Sequence, residues 1–183
     1  SRARPIPYYL ASHGSANTVD GDGVLSTRPP ANASWVDEYV YDPRDPVMSL
    51  MRSDSQAAPV DQAPHDHRRD VLVYQTPALD EDVEVIGPVT LSLWAATDGP
   101  DTDWTAKLAL VQENGLAINL TYGILRTRYR DGFDKPSLLE PGKTYEFSIP
   151  LNPIAVRFKK GQRIRLYVSS SDFPNFDRNH NTG

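Results

Sequence analysis

Several short stretches of the sequence alternate strictly between apolar and polar residues, with glycine and proline in the turns between them. In residues 89–96 the apolar side chains Val89, Leu91 and Leu93 fall on one side of the chain and Trp94 on the other. A period of two places successive side chains on opposite faces of a β-strand. The pattern predicts strands with one buried face, and it leaves Trp94 exposed or at an interface.

A second alternating stretch ends at a sequence typical of a β-hairpin. Residues 105–110 alternate, Asn114-Gly115 follows, and the chain returns through 116–120 and 122–129. Asn-Gly favours the positive φ angles of tight turns between antiparallel strands, so this part of the chain is predicted to form a hairpin. Further strands are predicted at 8–11, 35–41, 71–74, 83–86, 144–149 and 163–169.

Proline content supports an all-β fold. The chain has 16 prolines among 183 residues, against an average usage of about 5%, and proline is unfavourable in helix interiors. Many short strands without a helical stripe predict an antiparallel β-sandwich of jelly-roll, galactose-binding-like type. The length fits a single domain over residues 1–183. Full alternation also predicts that the outer face of the sheets, which carries Lys107, meets solvent.

One long segment, 42–69, shows no strand or helix pattern. It contains four prolines and the apolar group Val47-Met48-Ser49-Leu50-Met51. Loops longer than about 12–15 residues are uncommon in compact domains and are usually functional or disordered. We expect these apolar residues to cover either the sheet of this domain or another domain, and we favour the first interpretation.

Common catalytic and cofactor-binding motifs are missing from the sequence. No serine has glycine at both the −2 and +2 positions, as the nucleophile elbow of α/β-hydrolases requires, and no glycine-rich phosphate- or dinucleotide-binding motif is found. The absence of cysteine excludes thiolate catalysis, disulfides and cysteine-based zinc sites. A net charge of −5 without a basic stripe argues against nucleic acid as a partner. No apolar run approaches the roughly 20 residues of a membrane span, so we predict no membrane partner and no cofactor.

Histidine and aspartate groups offer weak candidates for metal sites. His65, Asp66 and His67 could present two imidazoles on one side of an extended segment, but two ligands do not make a zinc site, and we expect a solvated polar loop. His13, beside a glycine, is expected at a turn. Aspartates near 20–23, 101–103 and 172–177 could help to ligate calcium. Because aspartate in turns usually caps its own backbone, we predict no metal site.

Aromatic residues suggest an alternative function. Trp35, Trp94 and Trp104, with nine tyrosines, could form a sugar-stacking platform, which would make the chain a stand-alone carbohydrate- or peptide-binding module. Most of these rings are more simply explained as core or cross-strand residues. A third alternative, an enzyme site within this chain, lacks a recognisable grouping of nucleophile, base and oxyanion donor.

Five blocks of sequence resemble one known family in their order and spacing. They read GDGVLS at 21–26, YVYDP at 39–43, DTDWTAKL at 101–108, NLTYGILRTRYR at 119–130, and GQRIRL at 161–166 followed by VSSSDFPNFDRN at 168–179. Together the blocks span nearly the whole chain. They resemble the C-terminal domain of the cocaine esterase / X-Pro dipeptidyl-peptidase family.

This resemblance implies an accessory role for the chain. Members of the family combine an α/β-hydrolase domain bearing a Ser-His-Asp triad, a helical cap, and a C-terminal jelly roll that packs on both and helps to wall the substrate pocket. The chain would then be the non-catalytic C-terminal domain of a serine hydrolase of the esterase, acylase or X-Pro dipeptidyl-peptidase type. Its implied partners are the catalytic domain and the cap, and no catalytic, cofactor-binding or metal-binding residue is expected in it. We therefore expect the chain alone to be inactive.

Two segments are candidates for contact with those other domains. In the first, Met48, Leu50 and Met51 are candidate pocket or cap contacts, because methionine adapts to varied ligand shapes. The family often has a Gly-Gly pair in this loop, which the chain lacks. In the second, an aromatic segment follows the last predicted strand and contributes Phe173, Pro174, Phe176, Asp177 and Arg178. For the two phenylalanines, closure of the sandwich's own end is the alternative interpretation.

Both ends of the sequence suggest a longer parent protein. Residues 1–5 suit a cut within a longer chain or a processed end. The family continues past Gly183 into at least one further strand, which predicts an open sheet edge in this chain. Such an edge readily pairs with another strand, so the further residues or a second copy of the chain would cover it.

Overall fold

Eight β-strands and two single-turn 3-10 helices form the regular structure of this computed structural model, which describes residues 4–31, 35–50 and 60–183. The strands are Tyr9–Ala11 (β1), Val24–Ser26 (β2), Leu72–Gln75 (β3), Val83–Ala95 (β4), Asp103–Val111 (β5), Ala117–Arg126 (β6), Tyr145–Phe158 (β7) and Arg163–Ser169 (β8). The 3-10 helices are Ala63–His65 and Thr127–Tyr129. No helix in the described ranges has the length and apolar character needed to cross a membrane.

The strands form two sheets. The larger has the order β1-β2-β3-β8-β5-β6, and the smaller is the pair β4-β7. Every pairing is antiparallel except β2 with β3, which is parallel and joins Val24 to Gln75. The predicted hairpin is β5-β6, and Gly115 takes a φ of +89° in its turn. The predicted β-sandwich is confirmed.

The core lies between the two sheets and follows the predicted alternation. Phe147, Ile149 and Phe158 of the small sheet are fully or almost fully buried, and they face buried residues such as Ala106 and Val168 of the large sheet. Buried and exposed positions alternate along β7 up to Asn152, and after the two adjacent exposed residues Asn152 and Pro153 the alternation resumes one position later, opposite the register shift in β4, so that Phe158 also faces the core. Burial of each large apolar side chain contributes about 1.5–3 kcal/mol, which makes this register strongly preferred over a shifted one.

The outer faces of the two sheets differ. Along β4 and β7 the outward residues are exposed as predicted, and Trp94 is 69% exposed. On the large sheet the prediction of a solvated outer face is wrong, because Lys107 and Arg165 are buried there. Val47 packs on this face in a second apolar cluster whose other buried members are Val71, Val73, Ala109 and Tyr167. The described part of segment 42–69 therefore packs on this domain's own sheet.

Three strand predictions need correction. Segments 83–86 and 89–96 were expected as separate strands, but they form the continuous strand β4, in which a register shift lies between Gly87 and Val89. Strand β2, of three residues, was not predicted. Segment 35–41 was expected to be a strand, yet it belongs to no strand ladder of the described residues.

Candidate interface and pocket-shaping loops

The two segments predicted to contact other domains meet in the folded chain. Met48 and Phe173 form an isolated parallel β-bridge. The Phe173 backbone N–H donates to the Val47 carbonyl at 2.9 Å, and the Ser49 N–H donates to the Phe173 carbonyl at 2.6 Å. The backbone thus joins the two candidate segments into one structural unit.

This unit presents a partly apolar surface, which we call the bridge surface and define by Met48, Phe173, Pro174 and Arg178. Met48 is 47% exposed, Pro174 is exposed and Phe173 is half-buried. The Arg178 guanidinium lies over the Phe173 ring, 5.0 Å from its centroid, and donates to the Pro43 carbonyl at 3.1 Å. A cation over an aromatic face is held by the ring quadrupole, so the bridge surface combines apolar area with one positioned positive charge.

Buried polar groups hold the bridge surface from below. The Lys107 ammonium donates to the Asp172 carboxylate at 2.6 Å, and both side chains are almost fully buried. Asp172 also accepts from the Asn175 side-chain amide at 3.1 Å. On the other segment, the Val47 N–H donates to the Ser171 hydroxyl at 2.9 Å. Residues on either side of Phe173 are therefore tied to the sheet or to the neighbouring loop.

His65 supports the same loop. Its Nε2 lies 2.8 Å from the Met48 carbonyl oxygen and donates to it, and the residue is only 4% exposed. Burial lowers the pKa of His65, and the nearby positive charge of Lys107 lowers it further, while the Met48 hydrogen bond and Asp172 oppose the shift. The imidazole is thus held in its neutral form, as a fixed hydrogen-bond donor to the loop.

The expected solvated loop at His65, Asp66 and His67 is wrong for the first two residues. The Asp66 carboxylate accepts from the Arg165 guanidinium at 2.7 Å and from the Tyr167 hydroxyl at 2.7 Å, all buried on the outer face of the large sheet. His67 alone is solvent-exposed as expected. The sequence held one signal for this burial. Arg165 alternates with apolar residues along its strand, and an arginine on a sheet face that is covered requires an acidic partner.

We expect the stability of the chain to fall as the pH drops below about 6.5 because of His65. Its pKa is lowered on folding, so the unfolded chain takes up a proton near pH 6.5 while the folded chain does not. Stability is therefore complete above the unfolded pKa and is lost as the pH falls below it, with a slope of at most about 1.4 kcal/mol per pH unit for one proton. Urea unfolding at several pH values measures this slope.

The variant His65→Gln should flatten that part of the profile, because an amide can donate to the Met48 carbonyl but does not titrate. His67→Gln is the matched control and should leave the slope unchanged, since His67 is exposed. Equal slopes in the wild type and in the His65→Gln variant would show that His65 does not cause the pH dependence.

The remaining predicted contact residues have other surroundings. Phe176 packs edge-on against Tyr122, with ring centroids 6.1 Å apart, which fits closure of the sandwich's own end. Asp177 is exposed, and its backbone carbonyl accepts from the Arg126 guanidinium at 3.2 Å. Leu50 is half-buried next to the bridge. Met51 lies outside the described residues.

Aspartates that invited a calcium interpretation have protein partners. Asp101 accepts hydrogen bonds from Arg128 and Asn179, and Asp103 accepts from Arg126 and Asn179. In the part of the chain that the structure describes, no group of three histidine, aspartate or glutamate residues could hold a metal ion.

At the turn near residue 20, Asp22 accepts from the backbone N–H groups of His13 and Ser15 at 2.8 and 3.1 Å. These backbone groups lie nine and seven residues earlier in the chain, so Asp22 ties two parts of the loop together instead of capping its own turn. His13 is exposed at that turn, as expected.

The tryptophans do not form one platform. Trp104 is buried between Tyr39 and Phe147, at ring-centroid distances of 6.3 and 6.1 Å, whereas Trp35 and Trp94 are exposed. The hydroxyls of the consecutive residues Ser169, Ser170 and Ser171 are hydrogen-bonded to the Thr105 hydroxyl, the Tyr39 hydroxyl and the Val47 backbone N–H.

Comparison with known proteins identifies similar domains. The sequence profile described as X-Pro dipeptidyl-peptidase C-terminal non-catalytic domain matches residues 1–183. The chain is 45% identical over 181 residues to a cocaine esterase from Rhodococcus sp. (strain MB1 Bresler). The aligned region covers 97% of this chain and 31% of the esterase.

Solved structures agree with the sequence comparison. An aminopeptidase from a marine sediment Thaumarchaeota archaeon matches 98% of this chain with a TM-score of 0.83 and 34% identity. An α-amino acid ester hydrolase matches 97% with a TM-score of 0.84 and 31% identity. The chain spans about a third of each of these proteins, at 32% and 30% of their lengths.

Proposed function

The chain belongs to the family of X-Pro dipeptidyl-peptidase C-terminal non-catalytic domains, and on this premise we propose that it is the accessory β-sandwich of a serine hydrolase. In this role it packs on the catalytic domain and the cap of the parent enzyme and shapes access to the substrate pocket. The proposal includes the parent's activity on ester or peptide bonds, in keeping with the names of the similar esterase, aminopeptidase and ester hydrolase.

The observation that carries this proposal is the β-bridge between Met48 and Phe173. It brings together two segments that are far apart in sequence and were each selected for contact with another domain. Methionine, aromatic residues and arginine are enriched at protein interfaces, and the bridge surface contains all three types. Pro174 and Arg178 extend it on the Phe173 side.

Rigid support makes the bridge surface suitable for shaping a pocket. The backbone bonds of the bridge, the Lys107–Asp172 ion pair and the His65 hydrogen bond all fix its position from the sheet side. A surface that is already ordered loses little conformational entropy when it docks. A neighbouring catalytic domain would therefore meet a preformed wall.

We expect Phe173→Ala in the parent enzyme to lower kcat/KM for a short-chain p-nitrophenyl ester by about tenfold, which corresponds to about 1.4 kcal/mol. The reason is that truncation removes the ring on which Arg178 rests and opens a gap in the pocket wall. Steady-state kinetics give the loss in kcat/KM, and thermal unfolding of the isolated chain with the same substitution reports any damage to the sandwich itself.

Phe133→Ala is the control, because Phe133 is 85% exposed and lies outside the bridge surface. This variant should keep the wild-type kinetics. The isolated wild-type chain should not turn over the ester at all. Unchanged kinetics and unchanged stability in the Phe173→Ala parent would exclude the contact. Turnover by the isolated chain that a serine-reactive inhibitor abolishes would show that the chain carries its own active site.

A further inference from the structure

We propose that the outward side of segment 35–40, formed by Trp35, Val36 and Val40, is a second docking surface for the hydrolase part of the parent enzyme. We call this the outward row. The inference rests on the proposed function, because its partner is the domain to which the sandwich is attached. It goes further because it assigns a docking role to a segment whose sequence predicted only an ordinary strand.

Partly buried hydrogen bonds at Asp37 fix the segment in place. The Asp37 carboxylate accepts from the Ser12 hydroxyl at 2.5 Å, from the Ala16 backbone N–H at 2.9 Å and from the Tyr74 hydroxyl at 2.7 Å. Hydrogen bonds to a charged acceptor are stronger than neutral ones. Three of them, two from the loop after β1 and one from β3, attach the middle of the segment to the body of the domain.

Tyr39 provides a second attachment, two residues further along the segment. Its hydroxyl lies 2.7 Å from the Ser170 hydroxyl, and its ring packs edge-on against Trp104 at 6.3 Å. With Asp37 and Tyr39 turned inward, a period of two points Val36, Glu38 and Val40 outward, as in a strand. Trp35 does not follow this period, but it is exposed beside them at the start of the segment.

The outward row is exposed, and its side chains are apolar apart from the exposed Glu38 between Val36 and Val40. Trp35, Val36 and Val40 are 57%, 71% and 87% exposed, and the Trp35 ring packs edge-on against His13 at 5.7 Å. Single exposed apolar residues are normal. Here, however, three lie within six residues of a segment that is held extended and belongs to no strand ladder of the described residues. A segment of this kind offers both apolar side chains and an open backbone edge to a partner.

Two observations identify the partner. First, this chain corresponds to only 31% of the cocaine esterase and to 32% and 30% of the two solved enzymes, so most of each relative lies outside it and is attached to it. Second, the outward row continues into the bridge surface, because the segment runs from Val40 to Pro43, whose carbonyl accepts from Arg178 over the Phe173 ring. One large neighbouring domain would cover both.

The test compares the double variant Val36→Lys/Val40→Lys with the control Ile86→Lys. Ile86 is also β-branched and 61% exposed, but it lies on the outer face of β4. The readout is amide hydrogen exchange of residues 36–40 in the parent enzyme and in the isolated 183-residue chain. We expect exchange at least tenfold slower in the parent than in the isolated chain, loss of this protection in the double variant, and retention of it in the control.

Other outcomes separate the possible failures. Suppose that amide exchange is equal in the parent and the isolated chain while the Phe173→Ala parent is still impaired in ester hydrolysis. This result would overturn the docking role of the outward row and leave the proposed function standing. If neither effect is seen, both proposals fail. Sedimentation of the isolated chain tests whether a second copy of this chain occupies the outward row instead. A wild-type dimer that the double variant converts to a monomer would show that it does, and would overturn the proposal.

Discussion

Replacing Asp172 with asparagine should lower the free energy of unfolding of this chain by about 3–5 kcal/mol. Asp172 is 2% exposed and pairs with Lys107, which is 8% exposed, at 2.6 Å. The substitution keeps the shape of the side chain but removes its charge, and so leaves a buried ammonium without a counter-ion. Urea unfolding followed by tryptophan fluorescence measures the loss, because Trp104 is buried in the core.

Two further variants test the cause of this loss. Removing both charges in Lys107→Met/Asp172→Asn should restore much of the stability, because no buried charge is then left without a counter-ion. Glu84→Gln removes one partner of the exposed pair between Glu84 and Arg157 and should have no measurable effect, because solvent screens such pairs. If Asp172→Asn costs no more than Glu84→Gln, the buried pair does not hold the Phe173 segment in place.

The sandwich architecture could be predicted because it depends on local pattern. The predicted strand 163–169 matches β8 at both ends, since the residues alternate and Gly161, with a φ of +87°, marks the turn before them. The first part of β7 was found from alternation in the same way, as the predicted strand 144–149, whereas the extension of the strand to Phe158 past the change of phase at Asn152 and Pro153 was not. Where a strand was found, the information lies within a few neighbouring residues.

What covers a face could not be predicted in the same way. Periodicity shows that Lys107 and Leu108 point to opposite sides of β5, but not that residues from another part of the chain cover the Lys107 side. That cover comes from Val47, His65 and Asp66, which are distant in sequence and follow no period. The expectation of a solvated face therefore failed for the large sheet and held for the small one.

The candidate site shows the same division. Sequence reasoning selected Met48 and Phe173 separately, from residue type and from their place in a loop or after a strand. Their meeting at a β-bridge depends on the path of two loops, which no local signal encodes. The inward turn of Asp37 was equally hidden, because its partners Ser12, Ala16 and Tyr74 come from the loop after β1 and from β3, which are both distant from it in sequence.

The second large effect is expected at Asp101, where alanine should cost about 3–5 kcal/mol. The carboxylate is completely buried. It accepts from the Thr127 hydroxyl at 2.8 Å, from the Arg128 backbone and side chain at 3.0 and 2.7 Å, and from the Asn179 amide at 2.8 Å. Alanine would leave these donors without their acceptor in a buried place, and each unsatisfied donor carries a desolvation cost.

The stability of the wild-type chain should depend on pH in acid because of the same carboxyl group of Asp101. Burial raises the pKa of Asp101, but hydrogen bonds from Asn179, Thr127 and Arg128 outweigh burial, so the pKa lies below its usual value. Because the folded carboxyl binds its proton less readily than the unfolded one, its contribution is complete above about pH 4 and is lost as the pH falls through the lower folded pKa. Stability curves in acid should therefore fall less steeply for Asp101→Ala than for the wild type.

Asp42→Ala is the matched control for Asp101, because Asp42 also accepts hydrogen bonds from an arginine, Arg44, but is exposed to solvent. Its removal should leave the urea midpoint at neutral pH unchanged. A small loss in Asp101→Ala, equal to that of the control, would mean that Arg128 and Asn179 find other acceptors. The expected large loss would instead show that Asp101 ties the last residues of the chain, through Asn179, to the hairpin that carries Thr127 and Arg128, and so fixes the loop that presents Phe173.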